Sequence, residues 1–168
     1  MIPISSAISG GLVWSRNSNG YELKFNNEVV GSLRKTSFWS SDYRAETSDG
    51  SWSLRRSGTL GSGAEIRDQN KVPVARFKPS WGGPGTLTFA DGQALQIVSE
   101  GCWRPVLKVT TVDGQSLMQV SSREKTVTVE TPSALPQNRW LLLLLFALYR
   151  MRQTEDDSAT AALIAAIG

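Results

Sequence analysis

The chain has 168 residues, with 18 basic and 15 acidic side chains, no histidine and a single cysteine, Cys102. Its length suits one domain around one core, and its 40% apolar and 20% charged residues exclude a disordered polymer. The missing histidine removes Ser-His-Asp and Cys-His nucleophilic sites, most zinc sites and the usual neutral-pH base; a lone cysteine forms no intrachain disulfide or thiolate cluster, which fits a reducing, cytoplasmic setting.

The opening "MIPISSAISGGLVWSR" has neither a basic n-region nor a continuous apolar h-region, so it is not read as a secretory signal. Charge is spread evenly along the chain. Residues 1–60 carry seven basic and five acidic groups, 61–110 six and four, and 111–168 five and six. No basic block interleaved with aromatics offers a groove for nucleic acid.

From residue 12 onward, short alternating segments are separated by turn signals. These are "NSNG" (17–20), "FNNE" (25–28), "SDGS" (48–51), "RDQNK" (67–71), "ADGQ" (90–93), "VDGQ" (112–115) and "SREK" (122–125). Asp-Gly is a strong hairpin signal because glycine takes the positive backbone angles of the tightest turns. Between the turns, "YELKF" sets Tyr21, Leu23 and Phe25 on one face, and "AEIR" sets Ala64 and Ile66 opposite Glu65 and Arg67. "SWSLRR" pairs Trp52 with Leu54, "TLTF" pairs Leu87 with Phe89, and "TVTVE" pairs Val127 with Val129. Such alternation describes an antiparallel sheet with one dry face. It predicts about twelve strands over residues 12–130.

The glycine-rich "GSGAE" (61–65) and "GGPG" (82–85) do not fit a phosphate loop opening a helix and read as hairpin connections. Cys102, in "EGCWRP", reads as a buried inert thiol. Trp39, Trp81 and Trp103 read mainly as core volume, with an apolar rim touching membrane or protein as the alternative.

In "NRWLLLLLFALYRMR" (138–152), residues 140–149 are ten consecutive apolar residues with no polar face. A spanning helix needs about twenty, so the segment reads as a buried helix over about 139–153 rather than a membrane span. Asn138 is its expected N-cap, and Arg150 and Arg152 fall in its expected last turn. A sheet of twelve strands splits or closes. A closed tube of that size is too wide for its own side chains to fill. The apolar helix is the plug: about 22 Å long at about 1.5 Å per residue, against strands of about 23 Å.

After it, Glu155, Asp156 and Asp157 read as a solvated joint rather than a metal or glycosidase site, with Ser158 capping a final short helix or tail over 158–168. That tail is expected to cover one barrel mouth, the alternative being an amphipathic face for a partner. The whole chain, 1–168, is read as one domain of all-β class: a closed antiparallel barrel of about twelve strands with a hydrophobic C-terminal helix threaded through it.

A turn-rich all-β stretch followed by "RWLLLLLFALYRMR" resembles the tubby C-terminal superfamily, which includes the phospholipid scramblases and the LURP-one-related proteins. The overall look is nearest the compact bacterial LURP-one-related type. The resemblance covers residues 12 to about 153 and implies the barrel with its threaded helix. It also implies a non-enzymatic binding or regulatory module without cofactor or metal, some members of the superfamily binding phosphoinositides.

The outward basic groups of "LRK" (33–35) and "LRR" (54–56) ordinarily keep a sheet soluble. The sharper reading makes Arg34, Lys35, Arg55 and Arg56 an anion site for a phosphate-bearing headgroup, with arginine as bidentate donor. The expected partners are anionic membrane lipids or a protein, with no nucleic acid and no transmembrane segment; the expected location is cytoplasmic and peripheral to the membrane. The alternative function is a protein-interaction or assembly scaffold.

Overall fold

The computed structural model describes residues 7–8, 11–101 and 104–168. Cys102 and Trp103, and the expectations attached to them, lie outside the described residues. Twelve strands follow one another as hairpins: β1 (Leu12–Asn17), β2 (Gly20–Phe25), β3 (Glu28–Lys35), β4 (Tyr43–Thr47), β5 (Gly50–Ser57) and β6 (Gly63–Asp68). The second half continues with β7 (Pro73–Ser80), β8 (Gly83–Phe89), β9 (Ala94–Glu100), β10 (Val106–Thr111), β11 (Ser116–Ser121) and β12 (Thr126–Val129). Each strand pairs antiparallel with its neighbours in sequence, and β1 pairs β12 to close the barrel.

Closure is short: Leu12 faces Val127 and Val13 faces Thr126. The Trp14 backbone N–H adds a bond to the Lys125 carbonyl at 2.9 Å, and its indole N–H one to the Ser121 carbonyl at 3.1 Å.

The expected alternation holds along the wall. Tyr21, Leu23, Leu54, Ala64, Ile66, Leu87, Phe89 and Val127 are buried, while Phe25, Trp52 and Val129 are half-buried against the same core. All seven turn signals fall on hairpins. "GSGAE" runs from a turn into β6, but "GGPG" divides: Gly82 is in the turn at a φ of 70°, and Gly83 opens β8.

After a 3-10 turn at Pro132–Ala134, a single helix, α1 (Gln137–Ile167), enters one mouth, threads the tube and leaves by the other. All of residues 140–149 are buried. A helix apolar all round needs cover on every side, and the strand side chains supply it. Phe146 and Tyr149 meet Phe77 and Tyr43 at ring separations of 5.6 and 5.5 Å. On β3 the helix comes close to bare backbone: a Cβ on Gly31 would stand 3.3 Å from the Leu145 side chain. At the entry mouth the Trp140 indole N–H donates to the Pro132 carbonyl at 2.8 Å, and Arg139 pairs with Asp91 and Gln93.

The helix differs from expectation at both ends. Its N-cap is Pro136, with no side-chain cap bond, and Asn138 is already inside. It also runs without a break through Arg150, Arg152 and Ser158 to Ile167. Residues 158–168 form no separate tail and do not fold back over the mouth: all of them are exposed. Glu155, Asp156 and Asp157 are not a joint between two elements but continuous helix, held by ion pairs. Between residues 137 and 167 the chain contains neither glycine nor proline, so nothing stops the helix where the apolar run ends.

Candidate functional site at the exit mouth

The β1–β2, β3–β4, β5–β6, β7–β8, β9–β10 and β11–β12 connections all ring the mouth from which α1 emerges. At this mouth a cleft of about 370 Å³ opens between the β1–β2 turn and the β3–β4 loop. Arg16 lies next to the end of β1, Lys35 at the end of β3, and Arg152 on α1 as it leaves the tube; all three line the cleft, with Tyr21 and Tyr43 on its walls. A smaller recess of about 70 Å³ shares Lys35, Tyr43 and Arg152 and adds Arg56. Register explains the convergence: Lys35 faces Tyr43 across β3 and β4, and Tyr43 faces Leu54 on β5, one residue before Arg55.

The cations differ in how firmly they are held. The Tyr21 hydroxyl donates to Glu155 at 3.2 Å, and Glu155 lies 3.8 Å from both Arg16 and Arg152. Those two guanidinium contacts are long for charge-assisted bonds, which run at about 2.7–2.9 Å. Arg152 also meets Asp156 at 3.1 Å. The Lys35 ammonium donates to the Phe38 carbonyl at 3.4 Å and has no carboxylate partner among the described residues. Burial, followed by the adjacent Glu155 carboxylate, pushes the Tyr21 hydroxyl pKa up to about 12, and burial does the same for Tyr149. Tyr21 in the cleft and Tyr149 in the recess therefore present neutral hydroxyls, with the positive charge of the cleft on Arg16, Lys35 and Arg152.

Arg150, expected in a last turn, forms a collar one residue inside the mouth. It lies over the Phe77 ring at 4.3 Å and donates to the Ser62 carbonyl at 3.3 Å and to Gln153 at 2.5 Å. Burial lowers its pKa.

Of the four sequence-predicted anion residues, the structure brings Lys35 into the cleft and Arg56 into the adjoining recess, where Arg56 pairs with Asp157 at 3.2 Å. Arg34 lies across from Arg44 on the β3–β4 wall, and Arg55 is engaged by Asp42 at 3.3 Å; neither lines the cleft. Sequence reasoning missed Arg16 and Arg152. Arg16 had a signal in its place just before the "NSNG" turn, while Arg152 was hidden by the expectation that the helix ended there.

The tryptophans expected mainly in the core behave otherwise: Trp39 is 92% and Trp81 100% exposed. Both lie in exit-mouth connections, with Phe38 and Leu60. Among the described residues no group of three or more Asp, Glu or Cys stands together as a metal site. Among the described residues no helix is long and apolar enough to cross a membrane. No family model, curated protein or solved structure matches this chain.

Proposed function

We propose that the chain is a non-enzymatic binding module of the tubby-like kind, which recognises the phosphate-bearing headgroups of anionic phospholipids in the exit-mouth cleft. The observation that carries this reading is the convergence of Arg16, Lys35 and Arg152 on one cleft of about 370 Å³, a volume within the usual range for small ligands. Arginine offers paired donors to a phosphate, and lysine adds a point charge. The long Glu155 contact lets Arg16 turn to a phosphate with little loss, while Arg152 keeps its pair with Asp156. A cytoplasmic setting agrees with it, since the anionic leaflet of a cell membrane faces that side. The closed barrel with its threaded helix is the architecture that the tubby-like resemblance implies, and it supports that membership as a proposal.

Co-sedimentation with phosphatidylcholine vesicles, with and without phosphoinositide, tests the reading, with a soluble inositol phosphate as competitor. The expected result is phosphoinositide-dependent binding that weakens roughly ten- to hundredfold in Arg16→Ala or Lys35→Ala, the worth of one charge-assisted contact. Equal binding to neutral vesicles, or none, rejects it. A second reading, an assembly scaffold, is favoured by the bare apolar end of α1; sedimentation at two protein concentrations separates the two.

A further inference from the structure

We infer that the exit mouth is a membrane-insertion surface: the bare end of α1 and the rim formed by Phe38, Trp39, Leu60 and Trp81 enter the lipid of an anionic bilayer, with the barrel standing on that mouth. This inference rests on the headgroup reading for its choice of anionic lipid, and its apolar part is independent of it.

The most exposed apolar side chains gather at one mouth, while the less exposed Val13, Val72 and Val112 lie on the wall and in the turns of the other. Among the described residues, every large apolar side chain more than 60% exposed lies at this mouth: Phe38, Trp39, Leu60, Trp81, Leu163, Ile164 and Ile167. They come from three separate connections and the helix end. An exposed apolar surface of this kind, rimmed by polar groups, marks an interaction site. Its aromatic share is the composition that settles at a membrane–water boundary.

The helix end argues for lipid as the occupant. Eight of the ten residues 158–167 are alanine, leucine or isoleucine, the others being Ser158 and Thr160. The Thr160 hydroxyl is turned inward, donating to the Asp156 carbonyl at 2.9 Å. Its large side chains Leu163, Ile164 and Ile167 share one face and alanines cover most of the rest, so no charged side keeps the rod out of lipid. Beyond Asp157, the last residue tied to the barrel, ten residues extend about 15 Å, half of a hydrocarbon core about 30 Å thick. Residues 158–167 therefore reach about as deep as one leaflet.

Charge orients the landing. Arg16, Lys35 and Arg152 stand at the foot of the rod, while the turns around the opposite mouth carry Asp49, Asp113 and Lys71, with Asp68 at the end of β6 and Asp91 paired with Arg139. An anionic surface attracts the first end more than the second.

The test uses the intact chain with anionic and neutral vesicles, each prepared with and without brominated acyl chains, which quench tryptophan on contact. Insertion predicts quenching by the brominated anionic vesicles that largely disappears in the Trp39→Ser/Trp81→Ser double variant. It also predicts that Leu163→Ser/Ile164→Ser/Ile167→Ser binds at least about tenfold more weakly at an unchanged melting temperature. Binding without quenching overturns insertion and leaves headgroup recognition standing. Equal quenching on neutral vesicles upholds insertion while removing the headgroup reading. Vesicle binding unchanged in the helix-end variant, together with loss of a concentration-dependent dimer, assigns the rod to a second copy and overturns the inference.

Discussion

Tyr21 and Tyr149 show how the barrel wall and the helix depend on one another at the level of single residues. Both hydroxyls are buried and have partners, Tyr21 donating to Glu155 and Tyr149 accepting from the Gln153 amide at 3.0 Å. Each pKa rises to about 12 in the folded protein, against about 10 in an unfolded chain. The unfolded chain therefore loses these protons first as pH rises. Their contribution to stability is complete below about pH 10 and is lost between about pH 10 and 12. The urea midpoint is expected to fall between about pH 9 and 11.5, and to fall less in Tyr21→Phe/Tyr149→Phe, because phenylalanine has no proton to release. An identical fall in both proteins would show that these hydroxyls do not govern the alkaline limb. Which residues would meet was only partly legible in the sequence. "YELKF" marks Tyr21 as inward, but nothing near it announces Glu155, 134 positions away.

Among the elements, the strands were the more legible because two local signals agree on them: period-two alternation and a polar turn at each hairpin. Helix α1 was legible in its buried half for a comparable reason, since ten apolar residues in a row leave no wet face. Its exposed half was not. The polar stretch over 150–158 looks like a boundary in one dimension, yet in three it is the level at which the helix passes the rim. There Arg150 lies on Phe77, Arg152 on Asp156 and Asp157 on Arg56. These contacts are long-range or follow from helical spacing, and no glycine or proline interrupts them. The two halves should answer mutation differently. Leu143→Ala, inside the tube, is expected to cost about 2–5 kcal/mol and to lower the melting temperature accordingly. Deleting residues 158–168 removes only exposed side chains and should leave the melting temperature nearly unchanged. A large thermal loss on that deletion would mean that the segment packs against the barrel after all.

For the molecule as a whole, the two mouths differ in their chemistry. The entry mouth is ringed by aspartate-bearing turns, and the exit mouth combines basic groups, exposed aromatics and a bare apolar rod. Evenly distributed charge along the chain concealed this polarity, because the hairpin topology sorts alternate connections to alternate ends. Composition correctly framed a chain without histidine or paired cysteines, but the binding geometry arises only when β1, β3 and α1 end at the same level.

Hydrogen exchange of the full chain, free and on anionic vesicles, tests most directly whether one helix lives in two environments. Amides of residues 140–149 are expected to exchange only through global unfolding in both conditions. Those of 158–167 should exchange rapidly in the free protein and slow markedly on the vesicles. Rapid exchange across 140–149 would contradict the threaded barrel, and unchanged exchange across 158–167 on bound vesicles would contradict its use as a lipid-seeking rod.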